Sequence, residues 1–173
     1  ISTLAALGSQ GGDLEGRFKE GGIQAALSLG WSDDEAEQVN CLTMLANLAQ
    51  EAEHQRRIIE EGGVRLICHR VMKGLANIAQ GTQGVSSNRD TLFFMAALTL
   101  NRIANNSNLR QTLADEHVRH DVEDAFQVIP VLVELGVAGL VHKKKRVLNN
   151  AACALARLAH DPSLHARIIE AGT

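Results

Sequence analysis

The 173-residue sequence is poor in the residues that β-sheet proteins use. It contains no tyrosine, one tryptophan and two prolines, and aromatic residues make up only 3% of the chain. Aromatic residues are enriched in strands, whereas alanine and leucine, which dominate the apolar residues here, favour helices. Together with 45% hydrophobic and 21% charged residues, this composition predicts a folded, all-α domain and excludes a disordered chain.

The net charge and the cysteine content restrict the kind of partner and the cellular compartment that we expect. The formal net charge is −3, so we do not expect nucleic acid to be the partner. Cys41, Cys68 and Cys153 are odd in number and widely spaced, which is typical of a reducing compartment and not of a disulfide framework. We therefore expect a cytoplasmic or nuclear protein.

The sequence also lacks a long hydrophobic run. The longest apolar stretch, residues 128–141, contains Pro130 and Glu134 and is shorter than the ~20 residues that a transmembrane helix needs. We expect no membrane insertion. Because the sequence begins at Ile1 without an initiator methionine, we interpret it as an excerpt of a longer protein.

One segment of the sequence recurs. Leu-Ala-Asn-Leu-Ala at residues 45–49 is matched by Leu-Ala-Arg-Leu-Ala at 155–159, and Ile-Ile-Glu-Glu-Gly at 58–62 is matched by Ile-Ile-Glu-Ala-Gly at 168–172. A degenerate copy and a truncated one complete the set, whose leading leucines are Leu4, Leu45, Leu100 and Leu155. Their separations of 41, 55 and 55 residues indicate a unit of about 40 residues with roughly 14 residues inserted in the later two.

The best copy predicts a long helix followed by a short one. Ser32 and Glu35 form a capping box, and the apolar residues that follow recur at helical spacing, which predicts a long helix over residues 33–50. A shorter helix over residues 53–61 is expected to end at Gly62, because glycine permits the positive φ of a sharp turn.

The later copies repeat these signals. A further helix is predicted to begin at Val64. Ser87 with Asp90 repeats the capping pattern ahead of a helix over residues 92–104, and residues 144–160 supply the last long helix. Each unit therefore contains a long, a short and a middle helix.

The Leu-Ala-Asn-Leu-Ala helix, the Ile-Ile-Glu-Glu-Gly-Gly turn and the unit of about 40 residues together resemble the armadillo repeat family. The resemblance implies a right-handed α-solenoid of three-helix repeats, about three to four in number and two of them with insertions. It covers residues 1–173 as a single region. The residues expected to be buried between neighbouring units are Leu45, Leu48, Leu100, Ile103, Leu155 and Leu158. The repeat fragments fall roughly at residues 1–22, 23–63, 64–117 and 118–173.

The two inserts depart from the family pattern. The insert at residues 72–86 contains a second Leu-Ala-Asn-Ile-Ala, which indicates either a lengthened middle helix or a decayed extra repeat, and we favour the lengthened helix. The insert at residues 118–125 is acidic and is expected to form an exposed loop.

The resemblance also implies a function. In the family, the long third helix of each repeat lines a concave groove that binds extended segments of other proteins. Aligning the three long helices on that pattern gives six partner-binding candidates: Asn40, Thr43, Asn47, Arg102, Asn150 and Arg157. An asparagine amide can hydrogen-bond a peptide backbone, and a guanidinium donates to carboxylate or phosphate.

We therefore expect a protein-binding scaffold or adaptor whose groove holds an extended, acidic segment. The alternative is a regulatory or chaperone-like helical repeat region of a larger multidomain protein. The groove positions lack the tryptophan ladder of nuclear-import adaptors, and Trp31, which precedes a helix cap, is expected to be packing filler.

Signatures of catalysis and metal binding are missing. The sequence has no GxSxG, GxxxxGK, HExxH or CxxC motif. His117 and His120 lie beside acidic residues and are interpreted as a surface cluster, and the basic run at residues 143–146 as a solvated surface. We expect no enzyme activity, no metal site and no cofactor.

Overall fold

The computed structural model describes residues 22–81, 86–116 and 127–173. Within these ranges the backbone forms nine α-helices and no β-strand, which confirms the all-α prediction. Short 3₁₀ turns at Ser107–Leu109 and Pro162–Leu164 precede the sixth and the ninth helix. The helices are α1 (Gly22–Gly30), α2 (Glu35–Leu48), α3 (Ala52–Glu60), α4 (Gly63–Ala79), α5 (Ser87–Asn105), α6 (Arg110–Asp115), α7 (Val128–Val141), α8 (Lys145–Leu158) and α9 (His165–Ala171).

The same order of helices occurs three times along the chain. A middle helix (α1, α4 or α7) is followed by a long helix (α2, α5 or α8) and then by a short one (α3, α6 or α9). The long helix α5 packs between α2 and α8, while α1 packs on α2 and α7 packs on α8. The middle helix α4 contacts both α1 and α7. One hydrophobic core runs through these contacts.

Two of the predicted helix caps are wrong by one or two residues. The N-cap of α2 is Asp34, whose carboxylate accepts from the backbone N–H of Ala36 at 2.7 Å, while the Ser32 hydroxyl accepts from the N–H of Asp34. The N-cap of α5 is Ser86, whose hydroxyl accepts from the N–H of Arg89. An N-cap residue needs extended backbone, and both residues have it.

The predicted glycine turn is confirmed, because Gly62 has a φ of +89° and joins α3 to α4. Helix α4 continues through Ala79, so the described part of the insert at 72–86 lengthens the middle helix as expected. The copy at Leu4 and the acidic insert at residues 118–125 lie outside the described residues.

The leading leucines differ in burial. Leu45 and Leu100 are fully buried, as are Ile103 and Leu158. Leu155, the equivalent residue of α8, is only partly buried at the edge of the core. The expectation of burial is therefore confirmed for Leu45, Leu100, Ile103 and Leu158, and it is wrong for Leu48 and Leu155, which are only partly buried.

Candidate binding surfaces

Equivalent arginines join each long helix to the one before it. The Nη1 group of Arg102 on α5 donates to the backbone carbonyl of Ala46 on α2, 56 residues earlier. The Nη1 group of Arg157 on α8 donates at 2.9 Å to the carbonyl of Asn101 on α5, also 56 residues earlier. The register of the sequence repeat is therefore also the register in which the helices pack.

The N-terminal ends of the long helices repeat a second contact. Arg89 Nη2 lies 2.7 Å from Glu35 Oε1, and Lys144 Nζ contacts Asp90 Oδ2; both pairs are separated by 54 residues. The two helix pairs, α2 with α5 and α5 with α8, are thus fixed by the same type of contact at each end.

All six predicted groove residues are partly exposed. Asn40, Thr43 and Asn47 lie on α2, Arg102 lies on α5, and Asn150 and Arg157 lie on α8. The Thr43 hydroxyl donates to the Val39 carbonyl one turn earlier. The structure places these residues at equivalent positions on three helices that pack side by side.

Asn101 is a residue that the sequence reasoning missed. Its amide nitrogen donates to Asn150 Oδ1 at 2.9 Å, and its amide oxygen accepts from Arg157. Asn150 in turn donates to the Arg146 carbonyl. The sequence contained one signal for this residue: Asn101 is polar, whereas the equivalent residues of the other copies are Ala46 and Ala156.

Arg102 and Arg157 have a structural role that the sequence did not indicate. Both donate to backbone carbonyls of the preceding long helix, and burial lowers the pKa of Arg102. A carbonyl oxygen accepts a hydrogen bond without neutralising the positive charge. Each guanidinium therefore ties two helices together and still contributes positive potential to the surface around it.

The surface that carries the six predicted residues is apolar at its middle, on α5. Phe94, Met95 and Leu98 of α5 are partly exposed, and the guanidinium carbon of Arg146 lies 3.8 Å from the centroid of the Phe94 ring. We call the surface formed by these residues and the six predicted ones the long-helix surface. It combines an apolar centre with amide and guanidinium groups on both sides.

A polar cleft of about 240 Å³ lies where α4 meets the starts of α2 and α5. Arg70 and Arg89 are each 5% exposed within it. Arg70 Nε donates to the Gly30 carbonyl at 2.7 Å, and burial lowers its pKa. The lining residues are Asp33, Glu35, Gln38, Arg70, Lys73, Gly74, Asn77, Asn88, Arg89 and Leu92. They include no serine, cysteine or histidine, so the cleft offers hydrogen bonds and charges but no such nucleophile.

Trp31 stands near this cleft and corrects a prediction. It is 54% exposed and is not the packing filler expected from the sequence. Its ring centroid lies 5.1 Å from that of His69 and 5.6 Å from the Arg70 guanidinium carbon. The residue follows the last turn of α1, where it covers polar side chains and does not reach the core.

The described residues include neither a metal-binding cluster nor a helix that could span a membrane. Among them, no group of three or more histidine, cysteine, aspartate or glutamate side chains is placed to hold a metal ion. His117 and His120 lie outside the described ranges. Within the described ranges, no helix combines the length and the apolar character that crossing a membrane requires.

Comparisons with protein-family models, with curated proteins and with solved structures give no match for this chain. The armadillo resemblance therefore remains a hypothesis that depends on the repeated residues and on the helix contacts described above.

Proposed function

We propose that this chain is part of an armadillo-like α-solenoid and acts as a scaffold that binds an extended segment of a partner protein across the long-helix surface. The main observation in support is a hydrogen bond that recurs along the chain. Arg102 donates to the Ala46 carbonyl and Arg157 donates to the Asn101 carbonyl, in each case 56 residues earlier. Units that pack on their neighbours with a constant register produce a continuous surface, which is how repeat proteins bind extended ligands.

The chemistry of the surface favours an acidic segment. Arg102, Arg146 and Arg157 contribute positive charge, and the amides of Asn40 and Asn47 are suited to both groups of a peptide backbone. Phe94 and Leu98 offer an apolar contact between them. Three unpaired cysteines support a reducing compartment, so we propose the cytoplasm or the nucleus as the location.

The test measures where and how strongly a labelled peptide binds. Fluorescence anisotropy compares an unstructured acidic peptide, with and without phosphoserine, with a basic peptide of equal length. Leu98→Glu places a carboxylate in the middle of the surface and is expected to abolish binding of the acidic peptide. Ala76→Glu, which adds the same charge at an exposed position of α4, is the matched control and should bind normally.

The reactivity of Cys153 gives an independent test of where the peptide binds. It is exposed on α8, two helical turns from Arg146, whereas burial raises the pKa of Cys41 and of Cys68 to about 12. A thiol reagent at neutral pH should therefore modify Cys153 alone, and a bound acidic peptide should slow that reaction. Equal affinity for acidic and basic peptides, or equal binding by Leu98→Glu and Ala76→Glu, would refute the proposal.

Alanine variants of Arg102 and Arg157 are a poor test of binding. Both side chains join neighbouring helices, so their loss would weaken the fold together with the surface. The variants at Leu98 and Ala76 avoid this difficulty because both residues lie at partly or fully exposed positions.

A further inference from the structure

Arg70 is a buried cation of the polar cleft that forms no ion pair with any described residue. Two carboxylates line the cleft, but Glu35 pairs with Arg89 at 2.7 Å and Asp33 lies 3.9 Å from Lys73. An arginine side chain stays charged in proteins, and a buried charge is costly unless it is paired. The three bases and two acids of the lining therefore leave one positive charge in excess, at Arg70.

One backbone carbonyl holds two side chains of the cleft in place. Nη2 of Arg70 donates to the Ser32 carbonyl at 3.2 Å, and Nε2 of Gln38 donates to the same carbonyl at 2.8 Å. Arg70 is held further by the bond from its Nε to the Gly30 carbonyl. Because a carbonyl oxygen can only accept, the Ser32 carbonyl also determines which way the Gln38 amide points. Both side chains are buried, so the positions of their remaining polar groups are fixed.

Each of these two side chains keeps one polar group that is available to a ligand. Nη1 of Arg70 donates to no described residue, and Oε1 of Gln38 accepts from none. Neither atom is sealed inside the protein without a partner, and both residues line the cleft. The cleft thus offers a charged donor and a neutral acceptor, which is the combination that recognises an anionic group and a hydroxyl group on one molecule.

The volume of the cleft and a second base restrict the ligand further. The volume of about 240 Å³ equals that of roughly eight water molecules in the liquid, so a molecule of about that many non-hydrogen atoms fits. Lys73 follows Arg70 by three residues on α4 and therefore lies on the same face of the helix. Its contact with Asp33 is long, and both side chains are largely exposed. A second anionic group of the ligand can therefore reach Lys73.

We propose that the polar cleft binds a small hydroxycarboxylic acid with two carboxylates. One carboxylate accepts from Arg70, the hydroxyl group donates to Gln38, and the second carboxylate faces Lys73. These side chains lie on α2 and α4, and α4 packs between α1 and α7 while α2 packs on α1 and α5. No residue of the cleft lining belongs to the long-helix surface, so this proposal and the proposed function can fail independently.

Trp31 provides the signal for a binding experiment with the full chain. It is the only tryptophan, the chain has no tyrosine, and its ring centroid lies 5.6 Å from the guanidinium carbon of Arg70. An anion that binds Arg70 changes the electric field at the indole ring, and the fluorescence emission of Trp31 should change with it. Isothermal titration calorimetry measures the affinity independently of this signal.

Three compounds with the same carbon skeleton separate the contributions of charge and hydroxyl group. Malate has both, succinate lacks the hydroxyl group, and malamide lacks the charges. We expect malate to bind about five-fold more tightly than succinate, the effect of one neutral hydrogen bond, and at least about ten-fold more tightly than malamide, the effect of a charge-assisted one.

Variants of the full chain locate the binding, with far-UV circular dichroism as the check of folding. Gln38→Phe introduces the residue that stands at the equivalent position 93 of α5; it should fill the cleft and abolish malate binding. Arg70→Leu introduces the residue of the equivalent position 135 of α7 and should abolish binding as well. Arg56→Leu, the same substitution at an exposed arginine of α3, is the matched control and should bind malate normally.

Lys73→Gln tests the second carboxylate. It removes an exposed positive charge from the rim of the cleft and should weaken binding of malate and of succinate alike by about three-fold, the effect of an exposed ion pair. Unchanged affinities in this variant would contradict a ligand with two carboxylates.

Several results would overturn the proposal as a whole. Equal affinity for malate and malamide would remove the role of Arg70, and equal affinity for malate and succinate would remove that of Gln38. Heat of binding without a change in Trp31 emission, or binding that persists in Gln38→Phe, would place the anion elsewhere. If none of the three compounds bound, water or a segment of the protein itself would occupy the cleft.

Discussion

The interface between α2 and α5 and the interface between α5 and α8 share one register but enclose different spaces. The first contains the polar cleft of about 240 Å³, whereas the corresponding space at the second is about 10 Å³. Gln38 and Leu92 line the first space where the equivalent Phe93 and Val147 line the second, and Asp90 with Lys144 lines the second as Glu35 with Arg89 lines the first. The long helices therefore contribute to the difference, because the bulky Phe93 stands at the position equivalent to Gln38.

The middle helices contribute to the difference as well. One turn before Gly74, helix α4 carries Arg70, which is buried but turns its guanidinium toward the Gly30 carbonyl. One turn before Gly139, helix α7 carries Leu135, which is fully buried in the core. A buried arginine needs polar groups and space around it, whereas leucine packs against its neighbours. The register of stacking is thus set by the long helices, whereas the character of the space between units depends on both the long and the middle helices.

The largest expected effect concerns the leading leucines. Leu100→Ala should destabilise the fold by roughly 2–5 kcal/mol, because the fully buried side chain leaves a cavity. Leu155→Ala should cost about 1 kcal/mol, because its partly exposed side chain loses less burial. Urea denaturation followed by circular dichroism measures both. Equal losses would mean that the side of α8 that carries Leu155 is covered in solution.

The order and approximate bounds of the helices could be predicted because they depend on local signals. The apolar spacing in α2 and the glycine at Gly62 act within a few residues, and the structure agrees with both. The caps were misplaced because Ser32 and Asp34, or Ser86 and Ser87, are neighbouring candidates. Only the backbone conformation distinguishes between them.

The contacts of the candidate site could not be predicted because they join residues far apart in sequence. Arg102 and Ala46 are 56 residues apart, and Arg70 and Gly30 are 40 apart. The alignment assigns Arg102 and Arg157 to the same position on their helices, but a repeat pattern does not reveal that each guanidinium donates to the neighbouring helix. The exposure of Trp31 likewise depends on His69 and Arg70 of another helix.

A smaller effect is expected at Gly74 and Gly139, the two glycines that face equivalent residues of the long helices. A Cβ atom at Gly139 would lie 2.6 Å from the backbone nitrogen of Leu148, whereas one at Gly74 would lie 2.9 Å from the ring of Phe93. A backbone atom cannot move aside, whereas the ring of Phe93 belongs to a side chain and can shift. We expect Gly139→Ala to cost roughly 1–3 kcal/mol and Gly74→Ala to cost less.

Gly136→Ala is the control for this pair in the thermal unfolding measurements. A Cβ atom there would meet nothing within 4 Å, so alanine should stabilise α7 by up to about 1 kcal/mol through its higher helix propensity. If Gly74→Ala proved as damaging as Gly139→Ala, the ring of Phe93 would be fixed in its position.

The smallest effect concerns the equivalent ion pairs. The side chains of Arg89 and Glu35 are 5% and 35% exposed, whereas those of Lys144 and Asp90 are 41% and 30% exposed. Glu35→Gln removes the carboxylate from a buried guanidinium and should cost about 1–2 kcal/mol at any salt concentration. Asp90→Asn breaks a more exposed pair and should cost at most about 1 kcal/mol, a loss that should shrink as the sodium chloride concentration rises.

Both carboxylates lie in the first turn of a long helix, so their favourable interactions with the helix dipole are similar and largely cancel in the comparison. The remaining difference between the free energies of unfolding lost by the two variants reflects the different burial of the two ion pairs. Urea denaturation at low and at high salt concentration measures it. If both variants lost the same free energy and showed the same salt dependence, Arg89 would be solvated in solution. The polar cleft would then be open to water at the start of α5, and the contrast between the two interfaces would disappear.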